Sequence, residues 1–214
     1  MSITFVSCST VYKKAELVDI TDATGTVISF DKPPEKIISL LPASTEILFA
    51  LGLGDKIIAV SEYCDYPKEA KQKKTLKTGE YANIEELITL KPDVIFMGKM
   101  AQTEEMVNQL RQSGFKVVIL YASTIDETYD DIRLIGKVTK SDAKAEEIIN
   151  SMKISFDEIK NAVKNETPKK VYIEISPPEF GLWTCGQKTF HQELFDICNI
   201  TNIFADLEGW QAIS

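Results

Sequence analysis

The feature that most constrains the fold is an alternation of short apolar runs with helical segments between residues 36 and 120. Between the runs, apolar side chains recur three and four residues apart, as they do on one face of a helix. The four runs are Lys36–Leu41, Ile57–Val60, Val94–Met97 and Val117–Leu120. Strands that are apolar along their whole length are buried on both faces, so the pattern predicts an α/β fold whose parallel sheet is covered by helices on both sides.

The order of these segments also predicts where a ligand would bind. Right-handed crossovers bring the carboxyl ends of parallel strands to one edge of the sheet, and ligands of such folds bind outside that edge. The loops predicted to lie there are residues 41–44, 61–66, 97–101 and 121–124. In the first loop, Ser44 is predicted to cap the following helix, and the N–H groups of a helix start suit an amide carbonyl or a phosphate.

A long helix is predicted to connect two lobes. Apolar side chains recur at helical spacing from Ala145 to Val163, and residues 142–163 would span about 33 Å at 1.5 Å per residue. That length is unusual for a crossover within one sheet and typical of a rigid connector. After it the pattern restarts with one strand, Val171–Ile175, and one helix capped by Thr189, which predicts a second lobe of similar build.

The second lobe is expected to be incomplete. One strand and one helix cannot bury their own apolar face, and an open sheet edge favours self-association or local disorder. The predicted organisation is an N-terminal tail (1–17), an N-terminal lobe (18–124) that opens with a hairpin turning at Gly25, connecting helices (125–166) and a partial C-terminal lobe (167–214).

The composition excludes several classes of protein. With 24 Lys+Arg against 32 Asp+Glu, the formal net charge is -8. This argues against a nucleic-acid-binding protein, which needs a basic face. The five lysines between Lys68 and Lys77 are interpreted as covering a solvated helix and loop. No apolar stretch approaches the roughly 20 residues of a membrane span. His191 is the single histidine and the four cysteines form no CxxC pair, which argues against a metal site.

Several segments form a combined motif pattern that composition and periodicity do not explain. They are residues 36–52 (KIISLLPASTEILFALG), 63–67 (YCDYP), 83–95 (NIEELITLKPDVI), Gly186, Thr189-Phe190, Asn202–Phe204 and Gly209-Trp210. Taken together, these segments resemble the substrate-binding proteins of ABC importers for vitamin B12 and iron complexes. The resemblance covers about residues 18–214, and the Tyr-Cys-Asp-Tyr-Pro and Gly-Trp segments are most similar to the B12-binding branch.

The resemblance implies two Rossmann-like lobes joined by a long α-helix, with the ligand in the cleft between them. It also implies export out of the cytoplasm and delivery of the ligand to a membrane permease. One exposed glutamate on each lobe is then expected to contact arginines of the permease. The first falls on Glu85, and the second would lie beyond Ser214, in keeping with an incomplete second lobe.

The predicted ligand site follows from the chemistry of a corrinoid, which is flat, partly apolar and rimmed with amides. Such a ligand needs aromatic faces for contact area and a few polar groups for orientation. For Phe190, packing in the core of its own lobe is as good an explanation as ligand contact, and for Tyr66 it is the better one. His191 is considered as a ligand of cobalt or haem iron. The predicted ligand-binding residues are Pro42, Ala43, Ser44, Tyr63, Tyr81, Lys99, Trp183, Gly186, Phe190 and Trp210.

The N-terminus resembles the end of a bacterial lipoprotein signal, because small residues precede Cys8. The segment before Cys8 is shorter than a full signal, which carries an apolar run of about 7–15 residues. Two alternatives stay open: Cys8 is a lipidation site, so that the protein is anchored outside the cytoplasm, or it is a chance cysteine in a terminal tail.

Other functions remain as alternatives. A ferric siderophore or haem could replace the corrinoid, but the predicted loops contain no arginine, since Arg111 and Arg133 fall on predicted helices, and this favours a neutral, flat ligand. A chelatase-like two-lobe enzyme would need a general base or metal ligands in the cleft. A ligand-free interaction module is the fourth alternative.

Overall fold

The computed structural model describes residues 17–78, 83–99 and 104–213. The described chain opens with an antiparallel hairpin of β1 (Val18–Thr21) and β2 (Val27–Phe30). Gly25 lies in the turn with φ 79°, a conformation that only glycine adopts without strain. The predicted hairpin is therefore confirmed.

The first lobe is built on a five-stranded parallel sheet with the order β5-β4-β3-β6-β7. Its strands are β3 (Ile37–Ser39), β4 (Ile57–Ser61), β5 (Lys74–Leu76), β6 (Val94–Gly98) and β7 (Val117–Leu120). All four predicted apolar runs are strands. The prediction that residues 68–77 form a helix and loop was wrong for β5. Only Leu76 of this edge strand is buried, so the strand has no apolar run by which the sequence could reveal it. Residues Lys68–Gln72 form a 3₁₀ turn.

Helices cover both faces of this sheet, as predicted. One apolar core lies between the sheet and helices α1, α4 and α5, and contains Phe96, Val60 and Ile132. The other lies under α2 and α3, and contains Ile38 and Leu110. The helices of the described chain are α1 (Pro42–Ala50), α2 (Ile84–Leu90), α3 (Glu104–Gln112), α4 (Ile125–Thr139), α5 (Asp142–Val163) and α6 (Phe190–Ile197).

Helix α5 spans the residues predicted for the long connector and has 22 residues. Its first half is part of the first lobe, because Ala145 and Ile149 are buried in that lobe's core. Further along, Ile154 is 59% exposed and Ile159 is 41% exposed. Ser141 lies at the N-cap, and its side chain makes no capping hydrogen bond.

The second lobe contains more strands than the sequence predicted. Strand β8 (Lys169–Val171) pairs in parallel with β10 (Ile200–Asn202), and β9 (Leu182–Cys185) pairs antiparallel with β11 (Trp210–Ile213). The predicted strand Val171–Ile175 was misplaced, since the strand ends at Val171.

Little of the second lobe is buried. Among the described residues from 167 onward, Cys185 is the only hydrophobic residue that is fully buried. Large apolar side chains remain exposed instead: Tyr172, Phe180, Leu182, Trp183, Ile203 and Trp210. Both the expected incompleteness of this lobe and self-association through its exposed apolar surface stay predictions.

One buried carboxylate ties the hairpin to the sheet. The Asp22 side chain is fully buried, accepts hydrogen bonds from the backbone N–H groups of Thr24, Thr26 and Ile119, and pairs with Arg111 Nη2 at 2.5 Å. Burial alone would raise the pKa of Asp22, but hydrogen bonds from Thr24, Ile119 and Thr26 outweigh it and hold the pKa below the usual 3.8.

Replacing this carboxylate should destabilise the first lobe. In Asp22→Asn an amide N–H₂ would face two other donors, Arg111 and the Ile119 N–H, so we expect a loss of about 3 kcal/mol in the free energy of unfolding. The folded pKa lies below the unfolded one, so Asp22 stabilises the protein above pH of about 4 and this contribution is lost as the pH falls through the folded pKa. Urea unfolding between pH 3 and 7 measures both effects.

A suitable control is Glu147→Gln, which removes an exposed carboxylate paired with Lys144. Exposed pairs contribute about 0–1 kcal/mol. If Asp22→Asn and Glu147→Gln lower the stability equally at pH 7, the buried pair has no special role.

Candidate functional site

Exposed aromatic side chains lie where the strands of the first lobe end. Tyr63 follows β4 and is 69% exposed, and Tyr121 follows β7 and is 53% exposed. The exposed Lys99 follows β6 and places its Nζ 5.6 Å from the Tyr121 ring centroid. Carboxyl ends of parallel strands meet at one edge, so these side chains share the predicted ligand edge.

The loop after β3 differs from the prediction in one respect. Helix α1 begins at Pro42 with Leu41 at the N-cap, because proline suits the first helical position. The prediction that Ser44 caps this helix was therefore wrong. Ser44 is buried, and its hydroxyl donates to the Leu41 carbonyl at 2.8 Å. Ala43 is exposed and Pro42 is half-buried.

A buried network of hydroxyls and a thiol joins the first two loops of the ligand edge. Ser39 Oγ lies 2.7 Å from Ser44 Oγ and 2.8 Å from Thr45 Oγ1. Thr45 Oγ1 and Ser61 Oγ each lie 3.2 Å from Cys64 Sγ. The network gives Cys64 a structural role, because it holds the loop that carries Tyr63 against the start of α1.

The predicted permease contact lies on the first turn of α2. Asn83 caps this helix, since its Oδ1 accepts a hydrogen bond from the Glu86 N–H at 3.2 Å. Glu86 pairs with Lys74 at 2.8 Å, whereas Glu85 is exposed. A carboxylate at a helix start is favoured by the helix dipole, so Glu85 presents a stable exposed charge.

The second lobe brings two predicted ligand residues together with His191. The Phe190 and His191 ring centroids are 4.0 Å apart, and Trp210 lies edge-on to both, 5.0 Å from His191 and 6.3 Å from Phe190. We call these three side chains the aromatic group. Within the described chain His191 Nδ1 is buried and makes no hydrogen bond, and burial lowers the pKa of His191. The imidazole is therefore neutral at pH 7.

Gly186 and Trp183 are the other predicted ligand residues of the second lobe. A Cβ at Gly186 would overlap the Leu207 carbonyl, so the structure gives this glycine a packing role, and its contact with a ligand stays a prediction. Thr189 caps α6 as predicted, accepting from the Gln192 N–H at 3.2 Å. Trp183 lies on β9, where its indole N–H donates to the Phe180 carbonyl at 3.2 Å.

A contact that the sequence did not predict links the two lobes. The backbone N–H of Ile125, the first residue of α4, donates to Glu193 Oε2 on α6 at 2.6 Å. Helix α4 starts a few residues after β7, so the first turn of α6 lies beside the ligand edge. The partners are 68 residues apart, and no local pattern could have revealed them.

A second unpredicted group lies beneath the fourth loop. The pKa of Asp131 is raised to about 6, first by burial and then by the nearby charges of Asp130 and Glu127, while a hydrogen bond from the Tyr121 backbone partly opposes them. A carboxyl with this pKa can accept or donate a hydrogen bond near neutral pH. An isolated aspartate on a helix gives no sequence signal for it.

Some predictions lie outside the described residues, namely Tyr81 and the lipidation site Cys8. Within the described ranges no group of three or more His, Cys, Asp or Glu side chains could hold a metal ion. None of the helices described has both the length and the apolar character to cross a membrane.

Known proteins share both the sequence pattern and the fold. The chain is 36% identical over 200 residues to the "uncharacterized ABC transporter substrate-binding lipoprotein YvrC" of Bacillus subtilis, covering 90% of this chain and 63% of that protein. It is 33% identical over 176 residues to the vitamin B12-binding protein of Vibrio cholerae, covering 82% and 63%. The chain thus spans under two thirds of the length of these relatives.

Solved structures agree with the sequence relatives. A possible iron-binding periplasmic protein of Staphylococcus epidermidis has a TM-score of 0.74 at 35% identity, covering 86% of this chain and 72% of that one. The vitamin B12-binding protein of Vibrio cholerae has a TM-score of 0.70 at 32% identity, covering 85% and 71%. Residues 37–214 match the family model described as "Periplasmic binding protein", so the chain belongs to the periplasmic binding protein family, as its motifs indicated.

Proposed function

We propose that the protein binds a corrinoid between its lobes and delivers it to the permease of an ABC importer, outside the cytoplasmic membrane. One observation carries the proposal: the Ile125–Glu193 contact sets the first turn of α6, with the aromatic group, beside the ligand edge of the first lobe. A flat, partly apolar ligand would find aromatic surface on both sides of such a cleft.

The charges around the ligand edge favour a neutral ligand. Arg111 is held by Asp22, and Arg133 is held by Glu146 at 2.7 Å, so neither arginine is available to an anionic siderophore. Lys99 is the cation on the described part of the edge. Exposed tyrosines and backbone N–H groups suit a ligand with apolar faces and amide groups better than a multiply charged one.

The comparisons support a binding role. The family consists of binding proteins and not of enzymes, and a relative that is 33% identical carries the name vitamin B12-binding protein. Glu85 is the proposed contact with the permease, and lipidation of Cys8 is the proposed anchor, in keeping with a relative that is named a lipoprotein.

Haem is the second candidate ligand. The imidazole of His191 is neutral at pH 7 because burial lowers its pKa, and a neutral imidazole is a good ligand for iron. His191 Nδ1, however, makes no hydrogen bond within the described chain, whereas metal-bound histidines commonly donate their second N–H to an acceptor. The corrinoid therefore remains the preferred ligand.

Truncating Trp210 should weaken binding of the corrinoid. In Trp210→Ala we expect the Kd for cyanocobalamin to rise about tenfold, which is about 1.4 kcal/mol, because an aromatic face of the cleft is lost. Calorimetric titration with cyanocobalamin, haemin and ferrichrome measures the affinity and ranks the ligands.

The control for this titration is Ile203→Ala, which shortens another exposed apolar side chain of the second lobe and should leave the Kd unchanged. Trp210→Phe should bind more tightly than Trp210→Ala, because it keeps an aromatic face. If none of the three ligands binds to the unmodified protein, the proposed function is wrong; an unchanged Kd in Trp210→Ala removes only Trp210 from the site.

Glu85→Ala should separate ligand binding from delivery. We expect an unchanged Kd for cyanocobalamin and about fivefold weaker binding to the reconstituted permease, since an exposed charge pair contributes about 1 kcal/mol. The exposed Glu105 on α3 provides the control variant Glu105→Ala. If the unmodified protein, Glu85→Ala and Glu105→Ala bind the permease equally well, Glu85 does not contact the permease and has only a local role at the start of α2.

A further inference from the structure

We propose that Glu193 is a positioning residue that holds the two lobes in one arrangement by binding the amino end of α4. Between residues 17–141 and 167–213, as far as the structure describes them, the contact of Glu193 Oε2 with the Ile125 N–H is the only hydrogen bond. Its length of 2.6 Å is that of a strong, charge-assisted bond. We call this pair the interlobe latch.

The start of α4 is built so that one donor is left for the other lobe. Glu127 Oε2 accepts from the N–H groups of Ser123 and Thr124, and Thr124 Oγ1 accepts from the Glu127 N–H. The Ile125 N–H points to none of these acceptors and is satisfied by Glu193. A free amide at a helix start is costly when it is shielded from water, and it carries part of the positive end of the helix dipole. A carboxylate therefore suits this position.

Other groups show that three helices meet at the latch. Tyr129 on α4 is buried, and its pKa is raised by burial first and then by the charges of Asp126, Asp157 on α5 and Glu193 on α6. Lys153 Nζ on α5 lies 5.1 Å from the Tyr129 ring centroid and offsets part of this negative charge. The latch thus closes a packed junction between α4, α5 and α6.

The latch positions the aromatic group. Phe190 and His191 lie three and two residues before Glu193 on the same short helix, so they cannot move relative to the ligand edge without breaking the latch. Without it, α5 and its contacts with α6 would still join the described lobes, but the hydrogen bond between α4 and α6 would be lost. This consequence for the ligand rests on the proposed function, whereas the latch itself does not.

The experiment measures the distance between the lobes without ligand. Spin labels on Asn108→Cys in α3 and Asp206→Cys in the second lobe, both exposed positions, report the distance distribution by pulsed electron paramagnetic resonance, with Cys8 and Cys198 replaced by serine. We expect a broader distribution in Glu193→Ala. We expect the same in Ile125→Pro, which removes the N–H donor at a helix position that tolerates proline.

Matched controls separate the latch from general loosening. Ile125→Ala removes the same packing as Ile125→Pro but keeps the N–H, and Asp196→Asn alters an exposed carboxylate on α6 that binds Gln192. Both should keep the narrow distribution. Unchanged distributions in Glu193→Ala and Ile125→Pro, a change in only one of them, or equal broadening in the controls would each overturn the proposal.

A second measurement links the latch to binding. The dissociation rate of cyanocobalamin, followed by stopped flow, should rise about tenfold in Glu193→Ala and Ile125→Pro, the effect of losing one charged hydrogen bond. Broader distributions without any binding of cyanocobalamin would support the latch and contradict the proposed corrinoid function. Unchanged distributions would reject the latch whether or not cyanocobalamin binds.

Discussion

The structure depends on the burial of both faces of one parallel sheet. Phe96 packs into the core under α1, α4 and α5, and its neighbour Ile95 packs into the core under α2 and α3. A sheet covered in this way has no free face, so other contacts are made at its edges, among them the edge where the strands end. The loops at the carboxyl edge, the buried network around Cys64 and the start of α4 all owe their positions to that arrangement.

The helices and strands of the first lobe could be predicted where their burial leaves a local pattern of apolar residues in the sequence. Continuous apolar runs revealed β3, β4, β6 and β7, and the spacing of apolar residues from Ala145 to Val163 revealed α5. The edge strand β5 and the strands of the second lobe are short and mostly exposed, so hydrophobic periodicity could not find them. The prediction that Ser44 caps α1 failed because a serine near a helix start can either cap the helix or donate to a preceding carbonyl. Here the Ser44 hydroxyl donates to the Leu41 carbonyl.

The candidate site was predictable only in part for the same reason. Tyr63, Phe190 and Trp210 could be selected because they are aromatic residues in segments that resemble a known family. Glu193 and Asp131 could not, because each owes its role to groups that only the folded chain brings near: the N–H of Ile125 for Glu193, and burial beneath the Tyr121 loop for Asp131.

The two lobes differ in the origin of their stability. The first has a closed core on each face of its sheet, whereas in the described part of the second lobe the large apolar residues remain at least partly accessible. Its order therefore depends on α5, on the interlobe latch and on Asn199, whose side-chain amide donates to the Val163 and Glu166 carbonyls at the end of α5. The proposed binding cleft would therefore lie between one lobe with a closed core and one lobe held by a few polar contacts.

Amide hydrogen exchange with and without cyanocobalamin tests whether a ligand binds between the carboxyl edge of the first lobe and the first turn of α6. We expect slower exchange in residues 41–44, 62–66, 121–125 and 189–193, and unchanged exchange at the opposite edge of the sheet, in residues 31–36 and 113–116. Protection at that opposite edge, with none at the carboxyl edge, would contradict it.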